Sequence, residues 1–158
     1  MLILRLAQAF KKEKLEFAIV GGLAVNLHGA NRGTVDIDLI IKFNEKDFKK
    51  AQSALEQLGL KPRLPMRASE VFQFRSEYIE KRNLIAWSFA NPHNPAEVVD
   101  LLLTHDLTKE QIQHFSFMGE KIPVIDLDGL IKMKKLSGRP QDLADVKALM
   151  EIKNEKKK

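Results

Sequence analysis

Residues 17–41, FAIVGGLAVNLHGANRGTVDIDLII, decide how the rest of the chain is read. The run Phe17-Ala18-Ile19-Val20 has the length and boundaries of a buried strand. It stops at Gly21-Gly22, after which Leu23, Ala24, Val25 and Leu27 suit one short helix ending near Gly29. Residues 34–41 then read as a second strand carrying Asp36 and Asp38. Side chains two apart on a strand share a face, so these carboxylates are expected side by side, with Val35, Ile37 and Leu39 turned the other way. Two carboxylates held together repel unless a cation lies between them. Hard oxygen ligands at that spacing suit Mg2+ or Mn2+.

The glycine pair supplies the other half of the pattern. Between a strand and a helix it lets a ligand come close to the backbone, and the helix start offers free N–H groups and a positive dipole end to a phosphate. A phosphate cradle beside an acidic, metal-binding pair is the minimum equipment for phosphoryl or nucleotidyl transfer. No Gly-Lys-Ser/Thr follows, so this is not a Walker P-loop, and the spaced-glycine dinucleotide fingerprint is also absent. Taken alone, Gly21-Gly22 could equally be only a tight turn.

Gly21-Gly22, His28-Gly29, Arg32, Thr34 and Asp36-Ile37-Asp38-Leu39, in this order, resemble the polymerase-β-type nucleotidyltransferase superfamily. More narrowly, they are similar to the small bacterial members found in toxin–antitoxin and abortive-infection systems. The resemblance implies a nucleotidyltransferase fold and a third carboxylate on a later strand, for which Asp100 in AEVVDLLLT (residues 96–104) is the candidate. It also implies phosphate contacts from Gly21, Gly22, Arg32 and Thr34. Many members have Gly-Ser where this chain has Gly22-Leu23, so that hydroxyl contact is missing or supplied from elsewhere. Near the C-terminus, Lys134, Arg139, Asp142 and Asp145 match the family's lysine, Gly-Arg and Asp-x-x-Asp pattern. This implies Lys134 at the triphosphate and Arg139–Asp142 at a helix junction. The plain reading is that Arg139 and Asp142 pair locally and Asp145 faces solvent.

The 158 residues suffice for one good core and are too few for two ordinary domains. A single domain is expected over residues 1–152, with a basic tail after it. The formal charge is +5, of which residues 153–158, with four lysines and one glutamate, hold +3. A solvated, disordered tail is the bland reading; a foothold on RNA is the sharper one. No cysteine is present, which excludes disulfides and thiolate chemistry and fits a cytoplasmic setting. The opening residues MLILRLAQAFKKEKL have their basic residues after the apolar ones, unlike a secretory signal, and suit an amphipathic helix burying Leu2, Leu4, Leu6, Ala7 and Phe10. No apolar run approaches the ~20 residues that span a bilayer.

Further along, Asn44 with Asp47 starts a helix running to about Leu58, closed by Gly59. Residues 61–68, with Pro62 and Pro65, form a loop on which Arg63 and Arg67 could reach a substrate. Residues 71–74 and 83–89 read as strands, with Trp87 in the core, and residues 91–95 as a turn. Asp100 is either a ligand or the exposed face of an alternating strand. Thr108 with Gln111 suits a capping box, and residues 115–124 a hairpin turning at Gly119. Asp126 caps a helix to about Leu136, closed by Ser137-Gly138. A last helix starts near Pro140, with Leu143, Val146, Leu149 and Met150 inward. His93, His105 and His114 lack ligand spacing.

The whole then predicts one α/β (α+β) domain: a small mixed sheet flanked by helices, with C-terminal helices closing one side. The resemblance implies metal-dependent transfer of a nucleoside monophosphate from an NTP, ATP first, to a hydroxyl or phosphate of RNA, tRNA or protein. Asp36, Asp38 and Asp100 would hold two Mg2+ ions, with Mn2+ as the substitute. Two alternatives stand beside it: an antitoxin or nucleotide-binding partner of the same fold with little turnover, bound to a cognate toxin or antitoxin, and an antibiotic nucleotidyltransferase.

Overall fold

The computed structural model describes residues 1–34 and 36–157. In chain order the elements are α1 (Leu2–Lys12), β1 (Ala18–Val20), α2 (Gly21–Leu27), β2 (Ile37–Ile40), α3 (Glu45–Gln57), β3 (Lys61–Pro62), α4 (Ala68–Gln73), α5 (Arg75–Arg82), β4 (Ala86–Asn91) and β5 (Asn94–Leu102). A 3-10 turn at Leu107–Lys109 leads to β6 (Ile112–Phe117), β7 (Glu120–Ile125), α6 (Leu127–Ser137) and α7 (Pro140–Lys156). The strands form one mixed sheet in the order β3-β4-β5-β2-β1-β7-β6. β1 runs antiparallel to β2, which is parallel to β5, so the two short strands of the opening motif lie at the sheet centre. Among the described residues no helix is long and apolar enough to cross a membrane.

Local signals set most boundaries. Asn44 Oδ1 accepts from Asp47 N at 2.7 Å, and Asp126 Oδ1 from Gly129 N at 2.8 Å, each satisfying a free donor at a helix start. Gly138 takes the left-handed conformation that closes α6. Met118 and Gly119 both have positive φ, as the two-residue turn between β6 and β7 requires. Trp87 of β4 is buried against Phe48 of α3, the rings stacked 6.0 Å apart, and the buried Phe89 meets Trp87 edge-on at 4.7 Å.

Several expectations need correction. β2 starts at Ile37 and not at 34, so Asp36 lies in the bend before the strand, while Val35 falls outside the described residues. Residues 71–74 are helical. Ala68, Val71 and Phe72 bury one face at i, i+3 and i+4 spacing, and Gln52 of α3 accepts from Ala68 N at 2.8 Å to cap α4. Asp106, not Thr108, caps the 3-10 turn by accepting from Thr108 N, and Gln111 leads into β6. The inward face of α7 carries Asp142, Asp145 and Leu149, whereas Leu143 is 54% exposed. In α1, Ile3 joins Leu6, Ala7 and Phe10 in the core, with Leu2 and Leu4 only half-buried. The helix α7 continues through Lys156, and Lys153 pairs with Asp128 of α6 at 2.7 Å.

Candidate active site

Asp38 and Asp100 are direct neighbours across the parallel pair β2–β5. Ser88 of β4 pairs with Asp100 from the other side, and its hydroxyl donates to Asp100 Oδ1 at 2.5 Å. The polar face of the central sheet thus reads Asp38, Asp100, Ser88 across three adjacent strands. The flanking Ile37, Leu39, Val99, Leu101, Trp87 and Phe89 are buried on the opposite face. Asp36 adds its charge from the exposed bend before β2.

Burial pushes the Asp38 carboxyl up to about 7; the neighbouring Asp100, through its charge and a hydrogen bond, and then Asp36 add to the shift. Lys134 acts in the opposite sense. A carboxyl whose charged form is disfavoured by burial and by neighbouring carboxylates is a seat for a cation. The donor set is therefore suited to a hard divalent ion, with Asp38 and Asp100 as the residues that would hold it and Asp36 at the margin. Among the described residues no three carboxylate or imidazole groups already form a closed cation cage.

Gly21 owes its identity to this carboxylate. Its φ is +68°, and a Cβ there would overlap Asp38 Oδ2. Gly22 is buried, and a Cβ would stand 3.0 Å from the Thr34 side chain, so the second glycine packs the loop before β2 against α2. The glycine pair thus has a packing duty quite apart from any phosphate.

Arg32 and Lys134 are not free arms. Arg32 Nε lies 3.3 Å from Asp145, and its backbone N–H donates to Asn26 at 2.6 Å. Lys134, only 7% exposed, contacts Asp145 at 3.0 Å and Asp142 at 3.4 Å. Arg139 closes the set on Asp142 at 2.8 Å, and Asp142 also accepts from the Arg139 backbone N–H, as the helix-junction expectation had it. Burial raises the Asp142 pKa, but Arg139 and Lys134 outweigh it and hold the carboxyl below its usual range. Three cations against two carboxylates leave one positive charge beside the acidic face, and both Lys134 and Arg139 are electrostatically coupled to Asp38.

His28 is a core residue. Its Nε2–H donates to Ile125 O at 2.8 Å, its ring meets Phe115 edge-on, and burial lowers its pKa, so it stays neutral. Arg63 lies exposed beyond β3, with its backbone N–H on Ser88 O at 2.9 Å. With Leu64, Met66, Leu84, Ala86 and Ser88 it lines a 220 Å³ pocket, and Ala86 shares the sheet face of Ser88 and Asp100. Sequence reasoning missed Ser88, which only the β4–β5 register exposes.

No protein-family model and no curated protein matches the chain by sequence. Solved structures do match. An antigenic nucleotidyltransferase-like protein from Paracoccidioides brasiliensis superposes with a TM-score of 0.58 at 18% identity, over 93% of this chain and 71% of its own. The lincosamide antibiotic adenylyltransferase LnuA, bound to lincomycin, gives 0.58 at 17% identity, over 90% of each chain. ANT(2'')-Ia in complex with adenylyl-2''-tobramycin gives 0.61 at 14% identity, over 94% of this chain and 85% of its own. The chain has the nucleotidyltransferase fold. Within that fold, the acidic strand pair sits next to the glycine turn at the centre of the sheet, and α6 and α7 bring the cationic cluster up to it.

Proposed function

We propose that the chain is a metal-dependent nucleotidyltransferase that moves a nucleoside monophosphate from an NTP to an acceptor hydroxyl or phosphate and releases pyrophosphate. The observation that carries this is the Asp38–Asp100 pair, in which burial and then the neighbouring carboxylates raise Asp38 to about 7, in a fold shared with an antibiotic adenylyltransferase. ATP is the donor of choice, because one neighbour is an adenylyltransferase by name and another is in complex with an adenylyl antibiotic. Mg2+ or Mn2+ held by Asp38 and Asp100 would stabilise charge on the triphosphate and make the acceptor oxygen easier to deprotonate. Ser88 orients Asp100 by its hydroxyl hydrogen bond, as outer-shell partners of carboxylate ligands do. Gly21 lets Asp38 stand against the strand end, and backbone N–H groups at the start of α2 would take a phosphate. Lys134 and Arg139 contribute positive potential from their ion-paired positions, and Arg32 and Thr34 shape the loop that borders the donor.

RNA, a protein side chain or a small-molecule hydroxyl is the class of acceptor this reading admits. We carry over the broad class of the resemblance and not its toxin–antitoxin subtype.

The metal is tested by thermal unfolding. The folded Asp38 pKa, about 7, lies above its ordinary 3.8, so the folded state keeps a proton that the unfolded chain releases. Stability from this group is then complete below about 4 and is lost as pH rises through 7. Metal-free protein should melt lower at pH 8 than at pH 5, by about 5 °C or more, and Asp38→Asn should flatten that difference. Mg2+ should raise the melting temperature at pH 8 and hardly at pH 5. Equal Mg2+ stabilisation at both values would count against the carboxylate pair as its seat.

A further inference from the structure

A cavity of about 820 Å³ lies away from the carboxylates. It lies at the other end of the central strands. Phe17, just before β1, and Lys42, just beyond β2, line it, whereas Gly21 and Asp38 stand at the opposite ends of those strands, roughly 10 Å away along the sheet. Its floor is apolar, from Leu15, Phe17, Leu107, Ile112 and Pro123, closed on one side by α1 and on another by the β6–β7 hairpin. The volume and lining are those of a small-molecule site.

The charges at its mouth are unequal. Three lysines, Lys11, Lys42 and Lys121, and two glutamates, Glu16 and Glu120, line it. Lys42 and Glu16 neutralise one another at 2.7 Å. Among the described residues neither Lys11 nor Lys121 forms an ion pair, while Glu120 accepts only from Gln8 at 3.5 Å. Two ammonium groups therefore face one carboxylate over an apolar floor. His114 and Thr108 add hydrogen-bonding side chains at the same rim.

We propose that this cleft is a second ligand site, separate from the carboxylates, for an amphipathic anion: an apolar body with one carboxylate, sulfonate or phosphate head. The body would lie over Phe17 and Leu107, and the head would take the two unpaired lysines. A neutral ligand would gain the apolar contact without the ion pairs.

A matched pair of dyes separates the two contributions. 8-Anilinonaphthalene-1-sulfonate and N-phenyl-1-naphthylamine share an apolar body, and only the first has an anionic head. Fluorescence titration of the full chain should give one sulfonate site per chain. Lys11→Glu with Lys121→Glu should weaken the sulfonate about tenfold or more and leave the neutral dye unchanged. Ile112→Trp, which fills the cleft, should remove both; His114→Trp, at an exposed position of the same strand, is the second blocking variant should Ile112→Trp unfold. Sulfonate affinity that ignores the charge reversal would overturn the proposal, as would binding that survives both tryptophan variants. Concentration-dependent dimerisation that excludes the dyes would also overturn it, because a second copy would then cover the cleft.

Discussion

At pH 8 the Asp38→Asn protein is expected to melt higher than the wild type and to transfer nucleotide at least ~100-fold more slowly. The two effects have one cause. Asp38 is desolvated by burial at the sheet centre and stands against Asp100 and under the charge of Asp36, so its ionised form is unfavourable in the metal-free protein. Asparagine keeps the volume and the hydrogen bond to Asp100 while removing the charge. The fold gains from this, and the site loses the carboxylate on which cation binding depends. Asp100→Asn should be as slow in transfer yet keep more of the Mg–ATP binding, because Asp38 and Asp36 remain on the donor side. Calorimetry of Mg–ATP binding beside a transfer assay separates the two variants. Wild-type transfer by either one would remove that carboxylate from the chemistry, and a lower melting temperature in Asp38→Asn would show that the pair is not strained.

Lys134→Met should destabilise the fold by about 3 kcal/mol, the lower end of what removing one partner of a buried ion pair costs. Lys134, Asp142 and Asp145 are nearly inaccessible, and the ammonium sits between both carboxylates at 3.4 and 3.0 Å. Methionine preserves the stem and leaves the two acids buried with less compensation. Arg139 still holds Asp142, and Arg32 and Gln141 still hold Asp145, which keeps the loss from being larger. Denaturant unfolding measures it directly. Adding Asp145→Asn to Lys134→Met should recover part of the loss, since it removes the charge left behind. A single variant within about 0.5 kcal/mol of wild type, the range of ordinary surface changes, would mean that Lys134 is not part of the structural network and is free to meet a substrate.

What could be read in the sequence was local. Asn44, Asp126 and Gly138 announce helix ends because capping is settled within three or four residues. Gly21-Gly22 and Asp38 stood out because a strand, a short helix and a second strand follow one another within 25 residues. Residues 71–74 misled because Val-Phe-Gln-Phe is too short to separate period two from period 3.6. Only the cap from Gln52, sixteen residues earlier, and the packing of Phe72 on Phe48 decide for the helix. The inward turn of Asp142 and Asp145 contradicts the apolar-stripe rule that points to Leu143. Their burial depends on Lys134 from another helix and Arg32 from the loop before β2, partners that no local pattern names. Ser88 escaped for the same reason: its meaning lies in a cross-strand register.

The central claim is that the α-phosphate of ATP is transferred under the control of Asp38. The direct test incubates the protein with Mg2+, cell lysate and ATP labelled at the α-phosphate, in parallel with ATP labelled at the γ-phosphate. The account predicts label from the α-position on an acceptor, label from the γ-position only in released pyrophosphate, and neither with EDTA or with Asp38→Asn. Label from the γ-position on the acceptor, or α-label transfer that persists in Asp38→Asn, would contradict it.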